Sequence, residues 1–205
     1  DGRVWIRALR GLVPGDVIWK TIHGNTMDSL ESDMVSFCGI AGIFESIRAG
    51  NVAVSSHPGS EVLQSPGLYP FLPAACRELL GEDLLIPSVA TWWCGEPGSL
   101  SHVMANLSKM VIKSVGNTRR VKTQYGRLLS NEALAALAAR IRANPDDFVG
   151  QEELNISSIP TIHAEGLVPR SAVLRSFSFV DSNGVVQVMP GGLARVTKFE
   201  GSIVS

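Results

Sequence analysis

Charge is scarce in this 205-residue chain, where Lys, Arg, Asp and Glu make up 18% against about 25% in an ordinary soluble domain. The deficit points to surface buried against something else, either further polypeptide or a partner. What charge there is balances, with 18 basic against 19 acidic residues. The basic excess of a nucleic-acid or anionic-membrane binder is therefore missing. No apolar run approaches the roughly 20 residues that span a bilayer. The opening Asp1-Gly2-Arg3-Val4-Trp5 lacks the apolar stretch of a secretory signal. Cysteine is limited to Cys38, Cys76 and Cys94, widely spaced and without a C-x-x-C pair, which reads as reduced, buried thiols. The four histidines (His23, His57, His102, His163) form no H-E-x-x-H spacing, so zinc is not expected. The expectation is a cytoplasmic protein with neither a nucleic-acid nor a membrane partner. Two phosphate-cradling loops, G-x-x-x-x-G-K-[ST] and G-x-G-x-x-G, are absent, as is the G-x-S-x-G nucleophile elbow.

What is present is enough for a core: a chain this long buries roughly 70% of its unfolded surface. Arg3-Val4-Trp5-Ile6-Arg7 alternates after Asp1-Gly2 and is expected to be the second arm of a hairpin whose first arm is missing. Val17-Ile18-Trp19 is a short strand. Ile40, Ile43, Phe44 and Ile47 mark a helix face stopped at Gly50, and Val52-Ala53-Val54 a strand. Leu68, Phe71, Leu72, Ala75 and Leu79 fall on one helical face ended by Gly81. Ser99 is the expected N-cap of a helix carrying Val103 and Leu107. Met110-Val111-Ile112-Lys113 is a strand. Leu134, Leu137, Ala138 and Ile141 lie on a helix capped by Ser130 or Asn131 and ended at Asn144-Pro145. Strands then dominate to Val188, with a turn at Ser182-Asn183-Gly184. The fold class is α+β with mostly antiparallel sheets.

Few residues stand out for chemistry. Lys113 ends an apolar strand before Ser114-Val115-Gly116-Asn117-Thr118-Arg119-Arg120. An ammonium there can lie against phosphate oxygens or stand in solvent like any surface lysine. Gln151-Glu152 ends the next strand, where it can accept from an exocyclic amine or ribose hydroxyls, or simply be an acidic strand end. Asp28 and Glu31, three apart, would share one face of a helical turn. That suits Mg²⁺ or, equally, a helix dipole. Arg170 and Arg175, five apart on a strand, would emerge on opposite faces unless a bulge intervenes.

In order, Phe71-Leu72-Pro73, the run from Leu85 to Gly95 with Thr91-Trp92-Trp93-Cys94, Val111-Ile112-Lys113, Val149-Gly150-Gln151-Glu152, Val173-Leu174-Arg175 and Met189-Pro190-Gly191-Gly192-Leu193 resemble the circularly permuted ATP-grasp proteins of type 2. The resemblance implies two α+β subdomains clamping ATP: a permuted metal-side segment over 1–65, a nucleotide-cradling part over 66–150, and a β-rich segment over 151–205 packing with 1–65. It implies that Lys113 contacts ATP phosphates and that Gln151 and Glu152 lie at the adenine hinge. It places Arg175, and more weakly Arg170, at the phosphate or acyl-phosphate region, and Asp28 and Glu31 on Mg²⁺. The implied activity is ATP- and Mg²⁺-dependent ligation of a carboxylate to an amine through an acyl phosphate, on a peptide or amino-acid-like substrate. An all-helical partner domain or protein is a further implication. Family members are longer, so the chain is expected to be the C-terminal part of a larger protein.

Two stretches depart from the family pattern. Lys20-Thr21-Ile22-His23-Gly24 stands where Arg-Arg-x-Asp-Asp is usual, and Ser55-Ser56-His57-Pro58-Gly59-Ser60-Glu61 where Ala-Asn-Ala-Leu-Gly-Ser-Gly is usual. Both remove metal ligands that a hydroxyl or imidazole replaces poorly. The alternative reading is therefore a catalytically degenerate paralogue that binds nucleotide or a partner. A purely structural interaction module is a third.

Overall fold

The computed structural model describes residues 2–31, 39–116, 122–164 and 166–197. They fall into two units, Asp1–Glu153 and Leu154–Ser205. The first opens with a hairpin, β1 (Trp5–Ala8) against β2 (Gly11–Pro14). Ala8 faces Gly11 across a tight Leu9-Arg10 loop. Arg3–Arg7 thus contributes the first arm of a hairpin rather than an orphaned second arm. The alternation was legible, but the partner is a glycine- and proline-bounded tetrapeptide with little strand signal of its own. Pro14 is tolerated because it ends the pair.

Strand β3 (Val17–Trp19) runs parallel to β4 (Ala53–Ser55), whereas the other strand pairs among the described residues are antiparallel. Helix α1 (Ile43–Arg48) lies between them in the chain, entered through Gly42 at φ 76°. Ile40 lies ahead of the helix, its N–H donating to Met27 O. Met27, Ile43 and Val52 are buried here, with Val4, Ile18, Ile22, Phe44, Ile47 and Val54 packed around them.

A second cluster in the same unit is built on a four-stranded antiparallel sheet. Helix α2 (Leu72–Leu80) precedes it, closed by Gly81 at φ 71°. The expected longer helix is shortened because Pro66–Phe71 winds as a 3-10 turn containing Pro70. Then come β5 (Thr91–Trp93), α3 (Pro97–Asn106), β6 (Met110–Ser114), β7 (Gln124–Tyr125), α4 (Asn131–Ala143) and β8 (Phe148–Glu152). The spatial order is β5-β8-β6-β7. Ser130 caps α4 by accepting from Ala133 N. Ser99 does not cap α3: the helix starts two residues earlier at Pro97, and the Ser99 hydroxyl donates to Glu96 instead. One sheet face and the two helices bury Val103, Leu107, Met110, Ile112, Leu137, Ile141 and Phe148. Gly150 permits this approach, since a Cβ there would lie 2.5 Å from Val103 Cγ2.

The second unit is all strand. β9 (Ser158–His163), β10 (Gly166–Arg175) and β13 (Leu193–Val196) form a sheet in the order β13-β10-β9. β11 (Ser178–Val180) and β12 (Val186–Val188) form a separate hairpin. Asp181 holds its turn by accepting from Asn183 N, Val185 N and the Gln187 amide. Among the described residues of this unit only Thr197 is buried.

Candidate functional site

Side chains alternate between faces along a strand. The register pairs Thr91 and Val111 with Gln151, and Trp93 and Lys113 with Val149. These six residues therefore share the sheet face opposite the α3–α4 core. The Pro66–Phe71 turn packs on β5, β6 and β8. It is fastened by Ser65 Oγ donating to Val115 O at 2.8 Å and by Phe71 set edge-on to Trp93 at 6.3 Å. A polar chain crosses this face. The Lys113 Nζ donates to Gln151 Oε1 at 2.6 Å, and Gln151 Nε2 donates to Thr91 Oγ1 at 3.0 Å. The Thr91 hydroxyl in turn donates to Val89 O at 2.9 Å.

Gln151 is buried and Lys113 half-buried. Among the described residues no carboxylate pairs with Lys113, and desolvation lowers its pKa. A partly dehydrated ammonium balanced only by a neutral amide is poised for an anion. The loop Asn117–Arg120 that follows lies outside the described residues, as does Cys38. Cys94 is buried and its thiol is pushed up to about 11 by desolvation, against a hydrogen bond from Gly150. It is an inert core thiol.

Glu152 does not join this face. It sits one residue on, so it falls on the other side of β8, exposed, with its N–H on Ala90 O. Gln151 and Glu152 are thus separated by the pleat. Arg170 and Arg175 belong to the second unit. β10 is regular against both neighbours, so the two emerge on opposite faces. Arg170 is half-buried and donates to Pro169 O at 3.0 Å, while Arg175 is exposed.

Asp28 and Glu31 do not share a helical turn. Asp28 is fully buried, and its carboxylate accepts from Leu30 N at 2.9 Å, Gly42 N at 3.0 Å and Phe44 N at 2.9 Å. It anchors the entry to α1. Burial would raise its pKa, but the three N–H donors and Arg48 bring it below the ordinary value. Glu31 is exposed, and both its oxygens are held by the Arg48 guanidinium at 2.7 Å, which lowers its pKa. Among the described residues no three His, Cys, Asp or Glu side chains are grouped to hold a metal. Asp28 and Glu31 as placed do not fit Mg²⁺, a cation that needs free carboxylate oxygens. The half-buried Lys113 ammonium, held only by the Gln151 amide, does suit a negatively charged group.

A feature the sequence reading passed over is the Lys20–Glu61 ion pair at the carboxyl ends of β3 and β4. Glu61 also accepts from Gly24 N at 2.7 Å and Gly59 N at 3.1 Å. Only the unusual residues at both positions signalled it.

The model of the family described as circularly permuted ATP-grasp type 2 matches residues 1–197. An uncharacterized protein of Mycobacterium tuberculosis is 36% identical over 196 residues, covering 96% of this chain and 22% of its own length. A second from that organism is 33% identical over 204 residues, covering 100% of this chain and 37% of itself. One from Synechocystis is 29% identical, with 42% of its length covered. The chain thus spans well under half the length of these relatives. Among solved structures, that of the ATP-grasp ligase PsnB complexed with minimal precursor is similar at 17% identity and a TM-score of 0.35. The match covers 78% of this chain and 46% of that one.

Proposed function

The chain belongs to the circularly permuted ATP-grasp type 2 family, and on that premise we propose that it binds ATP at the Lys113–Gln151–Thr91 face as part of an ATP-dependent carboxylate–amine ligase. The observation that carries the reading is the half-buried Lys113 ammonium, held at 2.6 Å by a neutral amide and unpaired with any described carboxylate. ATP, when bound, supplies the phosphoryl group and four negative charges. The chain's part is to neutralise and position them. Lys113 donates to phosphate oxygens, and the Gln151–Thr91 chain holds the ammonium in place before and after. Arg175 and Arg170 at the phosphoryl region, Glu152 at the adenine, a peptide or amino-acid-like substrate and an all-helical partner rest on family resemblance alone.

A second reading, nucleotide binding without turnover, is favoured by one observation: Asp28 and Glu31 are engaged internally and leave Mg²⁺ no described shell. Calorimetric titration of the protein with ATP, with and without Mg²⁺, separates the two. Binding that tightens with Mg²⁺ supports the ligase; metal-indifferent binding supports the second reading. In both, Lys113→Ala weakens ATP binding by about 10- to 100-fold, the size of a lost charged hydrogen bond. An unchanged affinity removes Lys113 from the site.

A further inference from the structure

On the Lys113 face each polar group can be assigned its hydrogen. An ammonium only donates, a hydroxyl has one hydrogen to give, and a primary amide donates at one end and accepts at the other. The Thr91 hydroxyl gives its hydrogen to Val89 O at 2.9 Å, so toward Gln151 it offers lone pairs alone. Gln151 must then present Nε2, which lies 3.0 Å from Thr91 Oγ1. That leaves Oε1 for Lys113 Nζ, at 2.6 Å. Two neighbours thus dictate one amide orientation, from opposite ends.

The two controls are not equivalent. Lys113 dictates the orientation only while its ammonium rests on the sheet. The terminal torsion of a glutamine is a broad, roughly two-fold rotor. Once the ammonium turns to a phosphate, that rotor is held from the Thr91 side. Rotating it would aim Oε1 at a hydroxyl whose hydrogen lies on Val89 O, two acceptors facing each other at a side chain only 6% exposed. Among the described residues Lys113 has no ion pair, and its hydrogen-bond acceptor is Gln151. Other ionisable side chains on the elements packed against β6 are Tyr125 on β7, Tyr69 on the Pro66–Phe71 turn and Asp147, exposed just before β8. Arg127, after β7, is engaged by Glu153 at 2.7 Å.

We propose that Thr91 is a positioning residue for the phosphate contact: by fixing the Gln151 amide it sets the point from which Lys113 reaches its anion. The inference rests on the reading of Lys113 as a phosphate ligand.

The test compares Thr91→Val, isosteric but without the hydroxyl, with Thr91→Ser, which keeps it. In the absence of nucleotide, the acetylation rate of Lys113 is followed against pH by mass spectrometry. An acceptor held at the ammonium favours the charged form, and burial opposes it. Thr91→Val should therefore move the profile to lower pH, by about half a pH unit or more, while Thr91→Ser overlays wild type. Calorimetric titration should show ATP binding about 3- to 10-fold weaker in Thr91→Val and unchanged in Thr91→Ser. Where Thr91→Val is recovered unfolded, Thr91→Ala is measured in its place, with the same shifts expected. An unmoved acetylation profile in the variant without a hydroxyl, or an equal shift in Thr91→Ser, overturns the proposal and leaves the nucleotide reading standing. A moved profile with unaltered ATP affinity shows a Lys113 that Thr91 holds but no phosphate meets, which overturns the nucleotide reading and the proposal with it.

Discussion

At the scale of single residues, the carboxylates divide by what meets their oxygens. Asp28 is fully buried and takes three backbone N–H groups, which stabilises the charged form despite desolvation. Asp28→Asn keeps the shape but turns an amide NH₂ toward at least one of those donors. The expected loss is about 1–3 kcal/mol, the cost of leaving a buried donor unmatched, read by urea denaturation at neutral pH. The pH dependence follows from the lowered pKa. A carboxylate with a depressed folded value contributes stability above its unfolded value of about 3.9 and loses it as pH falls through the folded value. The gap between wild type and Asp28→Asn should therefore narrow as pH falls below about 4. A gap that persists unchanged in acid would show that shape, not charge, is what Asp28 supplies. None of this was legible in the sequence. Asp28 and Glu31 are three apart, but apart from Leu30 their partners lie 14 to 17 residues away, and spacing says nothing of such contacts.

Among elements, strands and helices with strong periodicity were readable, and the face they present followed from them. Met110–Lys113 read as a strand from its apolar run, and Gln151-Glu152 as the end of the next strand. Antiparallel pairing then set Lys113 beside Gln151. Pairing itself was not readable, which is why β1 took an unexpected partner and β3–β4 came out parallel. Glycine within a strand was the useful clue that went unread. Gly150 sits in the middle of β8, where a residue with a side chain would normally be favoured. Its reason is α3, whose Val103 would meet an added Cβ at 2.5 Å. Gly150→Ala should force helix and sheet apart at the centre of the larger core. Overpacking of this kind costs typically 1–3 kcal/mol, visible as a lower denaturation midpoint with an unchanged urea slope. Because Gly150 adjoins Gln151, the same variant should also weaken ATP binding. Full stability in Gly150→Ala would mean that the contact relaxes freely.

For the whole molecule, the two units differ in what holds them. Asp1–Glu153 contains both hydrophobic clusters. Leu154–Ser205 contains sheets whose apolar residues are largely exposed, among them Leu174 at 74%, Val186 at 64% and Val188 at 65%. Burial of apolar area is the main term opposing chain entropy, and a lone two-stranded hairpin such as β11–β12 is marginal in water. Local opening should therefore be graded along the chain. Hydrogen exchange read by mass spectrometry should find the amides of β6 and β8 protected to near the global limit, since they pair on both sides and bury Met110, Ile112, Phe148 and Val149. Amides of β11–β12 should exchange orders of magnitude faster. The exposed apolar sheet surface accompanies the low charge content of the sequence. In the longer relatives more polypeptide is at hand, the chain covering 37% and 42% of two of them. Equal protection of both regions in the chain by itself would show that β11–β12 is already covered, and would end the argument from exposure.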